Sequence, residues 1–287
     1  PIGDGTQVVF VTELMPSEAI IRLKSAAPSN STKRPIFLVS PIEGFVDALK
    51  EVAERMDCPV YGLQCTADAE QDSIESLAKF YIKHIRKVQP KGPYSIAGYS
   101  FGATVAFAMA VELEQNKEEI KLVLIDGAPK YVNWYTKAFK KRYNTSDDED
   151  QNQAFALAYF GVVAANTGYS MAKLLVDIPT FEGKVEKCAE IVADEIDKPI
   201  ELVKAAAASF YYKLAASDKY SVTYNLQCDV TLIKPTENYS KLEIDYGLNE
   251  VCDGKVDVLI VEGNHRTILL DEEPLQTIEA SLKRLLN

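Results

Sequence analysis

The stretch Tyr94-Ser-Ile-Ala-Gly-Tyr-Ser-Phe-Gly-Ala103 decides how the rest of this chain is interpreted. An apolar run leads into Gly98-Tyr-Ser-Phe-Gly102, and an alanine-rich helical pattern begins directly afterwards. A G-x-S-x-G pattern between a strand and a helix is typical of a sharp turn that exposes a nucleophilic serine. Its glycines supply room where a Cβ atom would collide with a neighbouring strand or helix. We therefore predict that Ser100 is a nucleophile; an idle serine in a glycine-rich turn is the alternative.

Strand and helix patterns alternate on both sides of this turn, which predicts an α/β fold with a mostly parallel sheet. Amphipathic spacing predicts helices, among them one at 45–56, one at 73–89 and one that closes the chain at 274–286. Short continuous apolar runs, expected for parallel strands covered on both faces, lie at 34–40, 59–64, 94–97, 121–126, 229–234 and 255–262.

The alternation stops over residues 130–224, where several helical patterns follow one another. We interpret this range as an inserted helical cap, and residues 35–129 and 225–287 as the core that holds the sheet. Residues 1–34 show little periodicity and are interpreted as an N-terminal extension and linker remnant. Since the sequence starts without Met or a signal-peptide pattern, we expect a fragment of a larger polypeptide.

Composition limits the classes of function. The 287 residues carry a formal net charge of −11, which disfavours nucleic acid and anionic membranes as partners. No apolar run reaches the length of a membrane span. The five cysteines are scattered and odd in number, which favours reduced thiols in a cytoplasmic protein over disulfides or a metal site. The acidic run at 147–150 is interpreted as a helix start or solvated loop, so no metal site is predicted.

Only two histidines can serve as a general base. His84 lies at the border of the apolar stripe of the helix predicted at 73–89, where a structural role is expected. His265 follows a strand and a glycine late in the chain. In the α/β-hydrolase fold the catalytic order is serine, acid, histidine, and Ser100, Asp126 and His265 obey that order. The fold predicted is therefore an α/β hydrolase with a helical cap.

Spacing alone does not decide which residue is the acid of this set. Asp126 ends an apolar strand and precedes a glycine, at the carboxyl edge where open α/β sheets place their sites. An Asp-Gly turn is also an ordinary structural device. In many hydrolases of this fold the acid follows the strand before the histidine strand, where Glu237 and Asp245 are the alternatives.

The chemistry expected of such a set is acyl transfer. His265 removes the proton of Ser100, Asp126 orients the imidazole and stabilises its charged form, and an acyl-serine forms and is then hydrolysed. Backbone N–H groups must stabilise the oxyanion, and Phe101 and Ile42 are the candidates for this role.

At this point the chain resembles one family, the thioesterase domain that ends the animal fatty acid synthase polypeptide. The likeness spans about residues 35 to 270, and only the serine turn is generic to hydrolases. The segments that carry it are Pro41-Ile-Glu-Gly44, Tyr61-Gly-Leu-Gln-Cys-Thr66, the Asp72-Ser-Ile to Tyr94 region, Gly98-Tyr-Ser-Phe-Gly-Ala103, Asp126-Gly-Ala-Pro-Lys-Tyr-Val132, Ser209-Phe-Tyr-Tyr-Lys-Leu214, Val251-Cys-Asp-Gly-Lys-Val256 and Glu262-Gly-Asn-His-Arg-Thr267.

The resemblance implies release of a long-chain fatty acid from a thioester on the phosphopantetheine of an acyl carrier protein, a domain of the same polypeptide. It maps the triad onto Ser100, Asp126 and His265 and the oxyanion amides onto Ile42 and Phe101. It requires no cofactor in this domain. The chain departs from the family at Ser40, where a histidine is frequent, and in the middle of the cap.

Two other functions stay open. A terminal thioesterase of a polyketide or peptide synthetase would share the fold and the triad, and a catalytically silent hydrolase fold could act as a binding module.

For substrate binding we predict an acyl groove in the cap, although core packing would show the same spacing. A basic cluster at 137–142 is a candidate docking site for the carrier, and a solvated helix face is its alternative. The predicted substrate-binding residues are Glu43, Phe155, Phe160, Phe210 and Tyr211.

Overall fold

A seven-stranded sheet forms the centre of the protein, as seen in a computed structural model that describes residues 14–24, 33–134, 136–137, 148–167, 170–237 and 242–286. The strand order is β1-β3-β2-β4-β5-β6-β7. The strands are β1 (Ile20–Arg22), β2 (Ile36–Val39), β3 (Val60–Leu63), β4 (Tyr94–Tyr99), β5 (Ile120–Ile125), β6 (Val230–Pro235) and β7 (Val256–Val261).

Helices follow the strands closely along the chain. The range 45–56 differs from its prediction, because it forms a short 3-10 turn at Asp47–Leu49 followed by a helix of only five residues. The described α-helices include α1 (Lys50–Glu54), α2 (Ile74–Val88), α3 (Phe101–Gln115), α4 (Glu149–Ala165), α5 (Ser170–Val176), α6 (Phe181–Ile196), α7 (Ile200–Lys219) and α8 (Glu272–Arg284).

Strands β2 to β7 are all parallel, which confirms the prediction of a mostly parallel sheet. β1 is antiparallel to β3, with Ile20 opposite Leu63. This strand lies within the range interpreted as an extension and linker, so that interpretation missed an element of the sheet. The polar stretch at 25–32, taken as the linker itself, lies outside the described residues.

The sheet is covered on both faces, which explains the continuous apolar runs. Successive side chains of β2 point to opposite sides, so Phe37 packs into the layer with α2 and α3, while Leu38 packs into the layer with α1 and α8. α2 begins where the Ser73 hydroxyl accepts a hydrogen bond from the Ser76 N–H, a serine N-cap. This double covering leaves the carboxyl ends of the strands as the place where polar side chains gather.

Helices α4 to α7 lie between β5 and β6, where the cap was predicted. Their aromatic rings pack together, with the centroids of Phe160 and Phe210 5.7 Å apart. The Asp148 carboxylate accepts a hydrogen bond from the Gln151 N–H, so this part of the acidic run starts a helix; Asp147 lies outside the described residues. The Lys184 ammonium, fully buried, pairs with Asp150 at 2.6 Å.

All five cysteines are free thiols, and four of them are buried. Burial raises the pKa of Cys188 to about 12, so this thiol stays protonated at neutral pH. Among the described residues, no helix combines the length and apolar character needed to cross a bilayer.

Candidate active site

Ser100 lies in the turn between β4 and α3 with φ 57° and ψ −124°, a backbone conformation that L residues avoid. The turn is tight because a Cβ atom on Gly98 would lie 2.1 Å from the Gly102 carbonyl oxygen. A Cβ on Gly102 would lie 2.4 Å from the carbonyl oxygens of Val39 and Ser40. Both glycines are therefore required by close backbone contact, as the sequence pattern predicts.

Asp126 lies directly after β5, on the neighbouring strand of the sheet. Its side chain is 0% exposed, and its backbone is also left-handed, with φ 40°. A Cβ on the next residue, Gly127, would lie 2.3 Å from the Ser100 carbonyl oxygen. The turn after β5 thus packs directly on the serine turn.

His265 comes from the loop after β7 and completes the predicted set. Its Nδ1 is 2.5 Å from Oδ2 of Asp126. The ring stacks on Tyr99 with centroids 4.9 Å apart, and the Tyr99 hydroxyl donates a hydrogen bond to the His265 carbonyl oxygen. Since Nδ1 faces the carboxylate, Nε2 is the nitrogen left to accept a proton, and 29% of the side chain is exposed. The structure brings Asp126 and His265 together; the catalytic roles of the three residues stay predictions.

The alternative acids occupy other positions. Asp245 accepts hydrogen bonds from the N–H groups of Gly247 at 3.1 Å and Asn249 at 2.8 Å, so it caps the turn that follows it. Glu237 is exposed. In the described part of the chain neither carboxylate is hydrogen-bonded to His265. The geometry thus favours Asp126.

The other histidine has a structural environment. His84 lies on α2 with its ring 4.7 Å from that of Phe80, and partial burial lowers its pKa. This agrees with the structural role expected from its position at the border of an apolar stripe.

The two predicted oxyanion amides come from adjacent elements. Phe101 is the first residue of α3, and its N–H is one of the orphan donors of a helix N-terminus. Ile42 lies in the turn after β2, closed by a hydrogen bond of 2.9 Å from the Gly44 N–H to the Pro41 carbonyl. Neither the Ile42 nor the Phe101 N–H donates to another described residue. Both are thus available to a substrate oxygen, and the role stays a prediction.

A buried lysine from the cap helix α7 contacts this turn. Lys213 is 2% exposed, and a Cβ on Gly44 would lie 3.0 Å from its Nζ. Burial lowers the pKa of Lys213, while the nearby Cys65 and Glu43 raise it. Oε2 of Glu43 is buried and has no hydrogen-bond partner among the described residues. Burial also raises the pKa of the Cys65 thiol, so Cys65 is not a competing nucleophile.

The aromatic residues predicted to line an acyl groove lie in the cap. Phe155, Phe160 and Phe210 are buried in its interior. Tyr211 is half-buried and donates a hydrogen bond of 2.5 Å from its hydroxyl to Glu149. Burial of this kind is also what a packed helical core shows, so their role as a groove stays a prediction.

The basic cluster predicted to dock a carrier falls mostly outside the described residues. Lys137 is described and exposed, whereas Lys140, Lys141 and Arg142 are not described. The docking prediction is therefore untested.

One contact of the acid was not foreseen. The hydroxyl of Tyr246 donates a hydrogen bond of 2.6 Å to Oδ1 of Asp126, from the segment after β6. The only local signal is the Tyr246-Gly247 pair, which reads as an ordinary turn. The contact spans 120 residues, so no pattern of spacing reveals it.

Comparison with known proteins finds solved structures that share this fold and a protein family that the chain matches. A family model described as "Thioesterase domain" matches residues 34–283. The four-domain nonribosomal peptide synthetase AB3403 superposes with a TM-score of 0.70 at 18% identity, covering 95% of this chain and 20% of that one. The NocB thioesterase domain in covalent complex with a fluorophosphonate nocardicin G analog gives 0.59 at 18% identity, covering 94% and 100%. The prediction of an α/β-hydrolase fold is confirmed.

Curated relatives are multidomain synthases. The chain is 39% identical over 110 residues to the nonribosomal peptide synthetase pngA of Aspergillus terreus, covering 37% of this chain and 12% of that one. It is 30% identical over 115 residues to the highly reducing polyketide synthase stpks1 of Strobilurus tenacellus, covering 40% and 4%. The chain thus spans 12% or less of the length of these relatives.

Proposed function

Since the chain belongs to the thioesterase domain family, we propose that it releases an acyl group from the phosphopantetheine thioester of a carrier protein by way of an acyl-serine intermediate. The observation that carries this proposal is the 2.5 Å contact of His265 with Asp126, beside a serine held in a left-handed turn. A buried carboxylate on Nδ1 fixes the tautomer in which Nε2 can take the serine proton.

The proposed reaction has three steps. Ser100 attacks the thioester carbonyl as His265 removes its proton, and the Ile42 and Phe101 N–H groups stabilise the oxyanion. Collapse of the tetrahedral intermediate expels the pantetheine thiol, which takes its proton from His265. Water, activated by the same imidazole, then releases the acid and restores the serine.

Two substrate classes compete. The curated relatives are polyketide and peptide synthetases, and they favour a terminal thioesterase of that kind over one of a fatty acid synthase. The apolar cap interior, with Phe155, Phe160 and Phe210, supports a long acyl tail, which is the fatty acid version suggested by the sequence resemblance. In both versions the partner is a carrier domain, which we propose lies in the same polypeptide, in the cytoplasm.

The test is product analysis with defined thioesters. The protein is given carrier-bound or pantetheine-bound linear acyl chains of increasing length, and hydroxyacyl or aminoacyl chains able to cyclise, and the products are separated by mass. Free linear acids from long saturated chains would favour the fatty acid version, and lactones or lactams would favour the synthetase version. The Ser100→Ala variant is the matched control. If the wild type releases neither product and a fluorophosphonate does not label Ser100, the fold is a silent binding module and the proposal is wrong.

A further inference from the structure

Tyr246 is buried beside the acid of the site. It is 1% exposed, and its hydroxyl donates to Asp126 Oδ1 at 2.6 Å. The Lys234 ammonium lies 4.4 Å from the centre of its ring, a cation–π distance, and donates a hydrogen bond of 3.1 Å to the Ile244 carbonyl. The segment that carries Tyr246 is thereby tied back to β6.

Tyr246 shares a positive φ with two of the predicted catalytic residues. Its φ is 55°, against 57° for Ser100 and 40° for Asp126. The other described non-glycine residues with positive φ, at positions 117, 166 and 197, lie at or just after helix C-termini, where this conformation is ordinary. The three that lie away from helix C-termini all belong to one site. Strain of this kind persists where the surrounding structure enforces it, and it clusters at functional sites.

We propose that Tyr246 is a positioning residue, which fixes the Asp126 carboxylate so that one oxygen stays aimed at His265; this inference rests on the proposed function. A carboxylate can rotate about its last bond, and Asp126 is fully buried without bulk water to hold it. The Tyr246 hydroxyl donates its hydrogen bond to Oδ1. Oδ2 is therefore the oxygen left to accept a hydrogen bond from the imidazole Nδ1–H.

Tyr131 supplies a matched control in the same pocket. Its hydroxyl is 3.4 Å from both Asp126 Oδ2 and His265 Nδ1, well beyond the usual O–H···O length of about 2.7 Å. Its ring is 5.1 Å from that of Tyr246. Removing either hydroxyl deletes one oxygen atom from a buried tyrosine, but only Tyr246 makes a short hydrogen bond to the acid.

Charged and titratable groups surround the carboxylate on several elements. Lys234 interacts with both Asp126 and Asp245, and Glu43 and Arg266 lie near Tyr99. Tyr246→Phe leaves each of these residues in place and removes one hydroxyl, so a change in pH dependence would report the lost hydrogen bond. The groups that face the site are Tyr99 on β4, Tyr131 after β5, Lys234 on β6, Asp245 and Tyr246 after β6, and His265 after β7.

The experiment compares Tyr246→Phe with Tyr131→Phe on a small acyl thioester. We expect Tyr246→Phe to lower kcat about 10- to 100-fold with KM within twofold, the loss of one hydrogen bond to a charged group. Without that donor the carboxylate charge is concentrated toward the imidazolium, so the acid limb of kcat/KM should move to higher pH. Tyr131→Phe should stay within about threefold of the wild type.

Two further readouts do not depend on the substrate. The protein contains only two histidines, so the downfield proton resonance between His265 and Asp126 can be assigned by comparison with a His84→Gln variant. It should shift in Tyr246→Phe and not in Tyr131→Phe. The rate of fluorophosphonate labelling of Ser100 should fall in parallel with kcat.

Several outcomes would overturn the inference. They are an unshifted resonance with kcat within threefold of the wild type, equal losses in the two variants, or a loss that follows the melting temperature with an unmoved pH profile. If the wild type is labelled by the fluorophosphonate but hydrolyses no thioester, the proposed function is wrong. The labelling rates and the resonance still decide the role of Tyr246 in that case.

Discussion

Replacing Asp126 by Asn tests the triad most sharply, because the structure predicts how the new amide must sit. The Tyr246 hydroxyl donates a hydrogen bond to Oδ1, so in the variant the Asn carbonyl oxygen must lie at the Oδ1 position. The NH₂ group then faces His265 Nδ1. An NH₂ group donates, and the imidazole must then accept at Nδ1 and carry its proton on Nε2. In that tautomer His265 cannot take the proton of Ser100.

The expected loss is about 10⁴-fold in kcat, or about 5.4 kcal/mol of transition-state stabilisation, because the geometry is kept and the tautomer is wrong. The assay is steady-state hydrolysis of a soluble acyl thioester, with the melting temperature measured alongside. Glu237→Gln is the matched control, since this exposed carboxylate lies outside the site and should leave kcat near the wild-type value. A kcat for Asp126→Asn within tenfold of the wild type would refute the assignment of the acid.

Three further predictions concern the serine turn and the cap. Ser100→Ala should fold and bind substrate but lose about 10⁴-fold or more in kcat, measured on the same thioester; appreciable turnover would show that another group is the nucleophile. Gly102→Ala should lower the free energy of unfolding by about 3 kcal/mol, since its Cβ would meet two backbone carbonyls at 2.4 Å, and a melting temperature equal to the wild type would contradict this. Phe210→Ala should reduce kcat/KM more for long than for short acyl thioesters, whose binding changes by about 0.8 kcal/mol per methylene; a uniform loss that follows the melting temperature would assign this ring to the core.

Local patterns were enough to predict the centre of the sheet and the serine turn. The glycines at 98 and 102 are dictated by contacts within a few residues or with the adjacent strand, so their spacing carries the information. β1 was missed because three residues are too few to show an alternating pattern, and the strand is defined by its pairing with β3. The helix expected at 45–56 came out shorter, as its apolar residues pack beneath the sheet around a 3-10 turn.

The features that the sequence could not predict depend on contacts between distant segments. His265 and Asp126 could be paired from sequence only through the known order of triad residues, because 139 positions separate them. The contact of Tyr246 with Asp126 could not be predicted, since a tyrosine before a glycine has no distinctive spacing. The acyl groove could not be separated from the cap core, because apolar residues at helical spacing serve both.

Because Lys213 contacts the turn after β2, the cap cannot be exchanged with that of a relative as an independent unit. The Lys213 ammonium extends from α7 to the turn that carries Ile42, where it lies against Gly44 and near the half-buried Glu43. A chimera that replaces α7 with the helix of a relative would leave the buried Oε2 of Glu43 without this nearby cation. Engineering a new acyl preference by grafting caps therefore requires Lys213 and its turn to be transplanted together.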